Sequence, residues 1–357
     1  MTHIAGDGTD YSTRSVDRRS TPRIEIIDAL RGCALLLVVF DHSCGFGLMA
    51  VPAPYRAMGA VLTALRMPTL FLLSGFVCAS LVREPLRALN RAISLAWLCA
   101  IWLPLALALH LGLIINVEIS PASFLPLELA REALHPSTHL WFIWVLCIYT
   151  ILTPLIRGRD RRRVLVAAGL ISFVSCLGLI EIHPSQNNIL RFSVFYFAGA
   201  LYADRLRAML GTPVSTRLLL MAIAAFCVIL ALHFAASRST DLRLMGLAVR
   251  IAGCVVALNI GRALFAGRDA PWLCWIGRNT LPVYLLHMFF IIMLTRYVFP
   301  TRAGAEAYLL LPLIAALSVA GSLAVHRATA TRWTAWLFRC PDRLHVAARR
   351  YERPEPA

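Results

Sequence analysis

Ten stretches of mostly apolar residues recur from one end of the chain to the other, and they constrain the fold more than any other feature. They lie at about 27–49, 58–81, 92–115, 139–156, 164–181, 189–203, 217–236, 244–264, 279–298 and 306–326. Most are roughly 17–25 residues long, enough for a helix to cross the hydrocarbon of a bilayer. In lipid a helix satisfies its own N–H and C=O groups, which an open strand does not. Only 15% of the 357 residues are charged, where a soluble domain has about a quarter. The sequence therefore predicts an all-α, polytopic integral membrane protein of about ten transmembrane helices at 24–328. Short tails at 1–23 and 329–357 flank it, with no internal repeat and no second domain.

The net charge is +16, and all 35 basic residues are Arg. With the N-terminus placed in the cytoplasm, about 25 of the 35 fall in the tails and the loops on that side. The run RGRDRRR at 157–163 is the densest. That asymmetry is the positive-inside pattern of an N-in, C-in membrane protein, with anionic lipid headgroups as partners. The arginines form no single face with interleaved aromatics, which argues against nucleic acid. Residues 1–23 are polar, contain Arg14, Arg18, Arg19 and Arg23, and lack the apolar core of a signal peptide. The ten cysteines fall mostly inside spans without paired CxxC spacing, so they read as small buried hydrophobes. No metal site is expected.

One span is out of character. RGCALLLVVFDH opens with Arg31 and closes with Asp41 and His42. Eleven helical steps turn through roughly 1100° and rise about 16 Å, so Arg31 and His42 share one stripe half a membrane apart. Asp28 lies one turn earlier, near the same face. Each charge facing lipid would cost at least about 2.5–3.5 kcal/mol, so the stripe must face a cavity or polar partners. The second span supplies them in LRMPTLFLLSGF. Counted inwards at about 1.5 Å per residue, Arg66 matches the depth of His42, and Ser74 that of Arg31. Two polar levels on adjacent helices describe a tunnel.

Further polar groups sit in later spans. HLWFIWVL places His139 and Trp141 at the outer surface, where Trp141 reads equally as an interfacial anchor. GRNTLPVYLLH places Arg278 at the inner surface, with Tyr284 and His287 deeper and one turn apart. Either a functional His287 or one satisfied by a neighbouring backbone fits the pattern, and Arg278 reads also as a positive-inside residue. A transporter or flippase of an anionic or lipid-linked substrate also fits ten helices with a polar path. Its usual repeated halves with matching helix breaks are missing, since Pro68, Pro104, Pro154, Pro282 and Pro312 are scattered.

IIDALRGCALLLVVFDH resembles the first-helix signature of the membrane acyltransferase-3 family, with its Arg and His separated by ten residues. MPTLFLLSGF is similar to that family's second-helix signature, and HLWFIWVL and LPVYLLH to two later segments. The motifs stand in the family's order over about 23–330. Leu70–Phe71 where paired aromatics are common, Met67–Pro68 after Arg66, and Asp41 before His42 depart from the pattern. The resemblance implies a membrane O-acyltransferase that moves an acyl group, most often acetyl, from cytoplasmic acyl-CoA to a hydroxyl of an extracytoplasmic or lipid-linked carbohydrate. It carries function onto Arg31 and His42, and onto Arg66 and Ser74. Acyl-CoA is then a donor substrate, with no bound cofactor. No soluble domain follows the helices as in some members, so onward transfer would need a separate partner; a homodimer is compatible.

The chemistry suits the residue types. Imidazole is a base near neutral pH, a fixed cation steadies a developing oxyanion, and guanidinium holds phosphate. His42 is expected as the base, tuned by Asp41 or Asp28, with direct transfer and an acyl-His42 intermediate both open. Arg31 and Arg278 are expected at the phosphates, and Ser74, His139, Trp141, Tyr284 and His287 around the substrates.

Overall fold

A computed structural model describes residues 25–46, 51–109, 125–180, 182–236, 245–299, 305–329, 331 and 334–346. Among them every regular element is helical: α1 (Glu25–Phe46), α2 (Ala53–Val77), α3 (Pro85–Ala108), α4 (Leu125–Leu134), α5 (Trp141–Leu152), α6 (Arg161–Leu177) and α7 (Pro184–Leu201) come first. They are followed by α8 (Ala203–Leu210), α9 (Thr216–Ala236), α10 (Gly246–Phe265), α11 (Pro271–Arg278), α12 (Thr280–Met293) and α13 (Ala307–Ala328). Each of the ten apolar stretches carries a helix. Six helices are long and apolar enough to cross a membrane by length and composition: α2, α3, α9, α10, α13, and α12 with its π-helical continuation to Val298. The expected tail at 1–23 and residues 47–49 and 110–115 of the first and third stretches lie outside the described residues.

Local sequence accounts for the helix ends. Asp160 caps α6 by accepting from the backbone N–H groups of Arg162 and Arg163, and Gly178 closes it at φ 70°, a conformation glycine adopts without Cβ strain. Arg278 ends a separate eight-residue helix, α11, and Asn279 separates it from α12. An element that short falls below any span-length search.

Close packing rests on small residues, as expected where lipid is as apolar as the core. α2 crosses α7 at Gly75 and Gly199. A Cβ on Gly75 would sit 1.9 Å from the Tyr196 carbonyl oxygen, and one on Gly199 1.9 Å from that of Leu72. α11 lies on α1 in the same way, with Gly277 directly over the Asp28 backbone. The core between α2, α5 and α7 is aromatic. Phe71 is fully buried, with the rings of Phe142 and Phe192 each at 4.8 Å. Trp141 joins that cluster through Phe71 and Phe192. It is a packing residue as well as an aromatic at a helix start. α9 presents Leu218, Leu220, Met221, Val228 and Leu232 outwards, a face suited to lipid.

The C-terminal segment is more than a tail. Residues 334–346 run along α3, where the Trp97 and Trp102 indoles donate to the Trp336 and Leu337 carbonyls. Asn90 pairs with the Val346 backbone in both directions.

Candidate active site

The polar stripe of α1 meets two separate polar groups. At its N-terminal end, Arg31 Nη2 donates to Thr280 Oγ1 of α12 at 2.8 Å. Asp28, buried under α11, lies 3.9 Å from Arg31 and accepts from Arg278 Nε at 3.2 Å. Among the described residues, this carboxylate lies between two guanidinium groups. A cavity of about 100 Å³ opens beside this cluster, lined among others by Arg31, Ser74, Arg91, Thr150, Thr280 and Tyr284. Arg31 and Ser74 thus share one cavity, as their matched depths suggested. Arg278 is not among its lining residues and acts on it only through Asp28.

At the other end of the stripe, His42 Nδ1 and His287 Nε2 lie 2.8 Å apart. The direction of that bond follows from the surroundings. His287 Nδ1 lies 2.8 Å from the Tyr284 carbonyl and 3.1 Å from that of Val283, and a carbonyl only accepts. His287 therefore carries its proton on Nδ1 and presents a lone pair at Nε2. His42 Nδ1 must then be the donor, which makes Nε2 the basic nitrogen of the neutral His42 ring. Packing reinforces the assignment, since His287 is fully buried and α12 fixes both of its backbone partners. His139 stands edge-on to His287 at 5.6 Å between centroids. Its Nε2 donates to the Leu285 carbonyl at 3.3 Å, and its own carbonyl accepts from the Tyr284 hydroxyl. Tyr284 thus forms the cavity wall on one side and supports the histidine pair on the other.

The expectation that Asp41 or Asp28 tunes His42 is corrected in its geometry. Asp41 Oδ2 lies 2.6 Å from Arg66 Nη2, and Asp28 belongs to the cluster at the opposite end. Neighbours on a helix point about 100° apart, so Asp41 turns to α2 while His42 turns to α12. Arg66 is buried, and among the described residues it reaches Asp41 and, at 3.4 Å, Thr63. Its Nε and Nη1 groups are buried with no hydrogen-bond partner. Donors left open beside a neutralising carboxylate are costly unless something else fills them.

The arrangement can bind an anion at one end of α1, hold a slender chain in the cavity, and accept a proton at His42 with a guanidinium nearby. A model of an acyltransferase domain matches residues 24–327. The chain belongs to the acyltransferase-3 family. Membership implies a multi-pass membrane protein with acyltransferase activity. No curated protein and no solved structure matches the chain significantly. Two contributors to this acyltransferase's site escape a sequence reading. Thr280 looks like an ordinary helix-start residue in RNTLP, and Arg91 looks like one more positive-inside arginine.

Proposed function

We propose that this acyltransferase moves an acyl group, acetyl in the simplest case, from cytoplasmic acyl-CoA to a hydroxyl of an extracytoplasmic or lipid-linked carbohydrate. In this reading the N-terminus and the arginine-rich loops face the cytoplasm of a cell whose inner membrane holds the protein. The donor's thioester arm enters beside Arg31, Ser74 and Thr280 and passes Tyr284 towards His42. Arg278 holds Asp28, which in turn orients Arg31. His139 and Trp141 support the far end of the path from α5.

The observation that carries this reading is the His42 Nδ1–His287 Nε2 contact at 2.8 Å, from which the tautomer of His42 is assigned. Its Nε2 removes the proton from the acceptor hydroxyl as the oxygen attacks the thioester carbonyl carbon. A C–O bond forms, and the carbonyl electrons move onto oxygen, where the open donors of Arg66 stabilise the charge. The intermediate collapses with cleavage of the C–S bond, and the CoA thiolate leaves with the proton held by the imidazolium. His287 Nε2 accepts the hydrogen bond from the His42 Nδ1–H throughout and so holds the ring. Asp41 holds Arg66.

The test is transfer of label from radiolabelled acetyl-CoA in membranes containing the wild type or His42→Ala, followed into glycan and lipid extracts. Label that disappears with His42→Ala supports the reading. Equal label with both proteins removes His42 as the base. Absence of label from both, across several acyl donors, moves the assignment to transport.

A further inference from the structure

Among the described residues, no carboxylate pairs with Arg250. Its Nη1 donates to the Gly246 carbonyl of its own helix at 2.7 Å and lies 3.6 Å from Cys176 Sγ. Its Nε is buried with no hydrogen-bond partner, and so is the Nε of Arg191 on α7, a neighbouring like charge. An arginine within a membrane span is costly unless an anion or a polar cavity receives it. The 20 residues of α10 cover about 30 Å, the thickness of the hydrocarbon. Arg250 lies four residues, about 6 Å, inside the helix start, so its long side chain reaches the headgroup boundary.

A cavity of about 300 Å³ receives this guanidinium, lined among others by Asp41, Thr63, His233, Phe234, Val249 and Arg250. Asp41 is the one carboxylate among its described lining residues, and Arg66 already holds it at 2.6 Å. His233 stands three residues before the end of α9, and its Nδ1 is buried with no partner. The rim is apolar and suited to lipid, since Phe234 and Leu232 of α9 are both exposed. An open guanidinium donor, an imidazole and an apolar rim thus meet about one turn inside the helix ends. At that depth the anion at hand is the phosphate of a lipid, which a guanidinium binds well.

We infer that this pocket is a lipid site, in which Arg250 and His233 hold the phosphate of an anionic membrane lipid whose chain leaves past Phe234 along α9. The site does not depend on the acyltransferase reading. Asp41 belongs both to its wall and to the Arg66 pair, so the bound phosphate lies next to the charges at the His42 end of α1.

The test is native mass spectrometry of the purified full-length protein, delipidated in detergent and titrated with phosphatidylglycerol or phosphatidylcholine. The expected result is one tight phosphatidylglycerol per chain and weaker phosphatidylcholine. Affinity for phosphatidylglycerol should fall about tenfold or more in Arg250→Gln, with most of it returned by Arg250→Lys. Arg205→Gln, in the exposed basic cluster with Arg159, Arg161 and Arg162, should bind as the wild type does. Displacement by farnesyl phosphate at matched concentration supports the site with a prenyl phosphate as occupant, and retention against it supports a phospholipid. Displacement by inorganic phosphate at matched concentration overturns the lipid assignment, and equal affinity for phosphatidylcholine overturns the anionic one. Unchanged binding in Arg250→Gln, or an equal loss in Arg205→Gln, overturns the site. Should Arg250→Gln not fold, His233→Ala decides, with an expected fall of about threefold and no change as the contrary result.

Discussion

The two ends of the α1 stripe use charge in opposite ways. At the N-terminal end, the described guanidinium groups of Arg31 and Arg278 share Asp28 beside a cavity, and the Arg278 side chain is 42% exposed. At the far end, Arg66 is neutralised by Asp41, and the histidines pair with each other and with backbone carbonyls. Guanidinium groups at a wet edge recruit anions. Where a carboxylate neutralises the guanidinium, each buried donor left over counts for more. In the proposed reading, one helix separates capture of a charged donor from proton transfer by about 16 Å.

Breaking the far end should have the largest effect. His42→Ala should lower acyl transfer by at least about 100-fold, read from label incorporation, without altering expression. Next comes the near end. Arg31→Ala should weaken CoA binding about tenfold through loss of both the charge and the Thr280 contact, and Arg31→Lys should recover part of it.

The Asp41–Arg66 pair sharpens the contrast further. Asp41→Asn leaves a buried guanidinium without its counter-charge and should cost about 2–3 kcal/mol of stability, read as a lowered melting temperature in detergent. The double variant Asp41→Asn with Arg66→Gln should regain most of that stability and none of the transfer rate. A double variant that recovers transfer would remove Arg66 from the chemistry. The smallest effect belongs to Arg278→Gln. Its partly exposed pair with Asp28 is screened by solvent, so CoA affinity should fall only about twofold.

Helical period alone made half of the site legible. The shared face of Arg31 and His42, and the pairing of Arg31 with Ser74 across one cavity, follow from counting residues. The contacts that complete the site join residues 245 to 249 positions apart, His42 to His287 and Arg31 to Thr280. No spacing rule reports which helix lies beside which. That Asp41 pairs with Arg66 while His42 meets His287 follows from a rule the sequence did contain, since adjacent helical residues point about 100° apart. α11 was hidden by its eight-residue length. The docking of residues 334–346 was hidden because it uses tryptophan donors on α3 and backbone acceptors on the segment, and backbone carbonyls have no sequence signature.

The division of labour along α1 is tested most directly by the CoA affinity of purified His42→Ala and Arg31→Ala, measured side by side with the wild type. The account predicts that His42→Ala binds CoA within about threefold of wild type, well under the tenfold step of 1.4 kcal/mol, while Arg31→Ala binds about tenfold more weakly. Loss of CoA binding in His42→Ala with full binding in Arg31→Ala would contradict it.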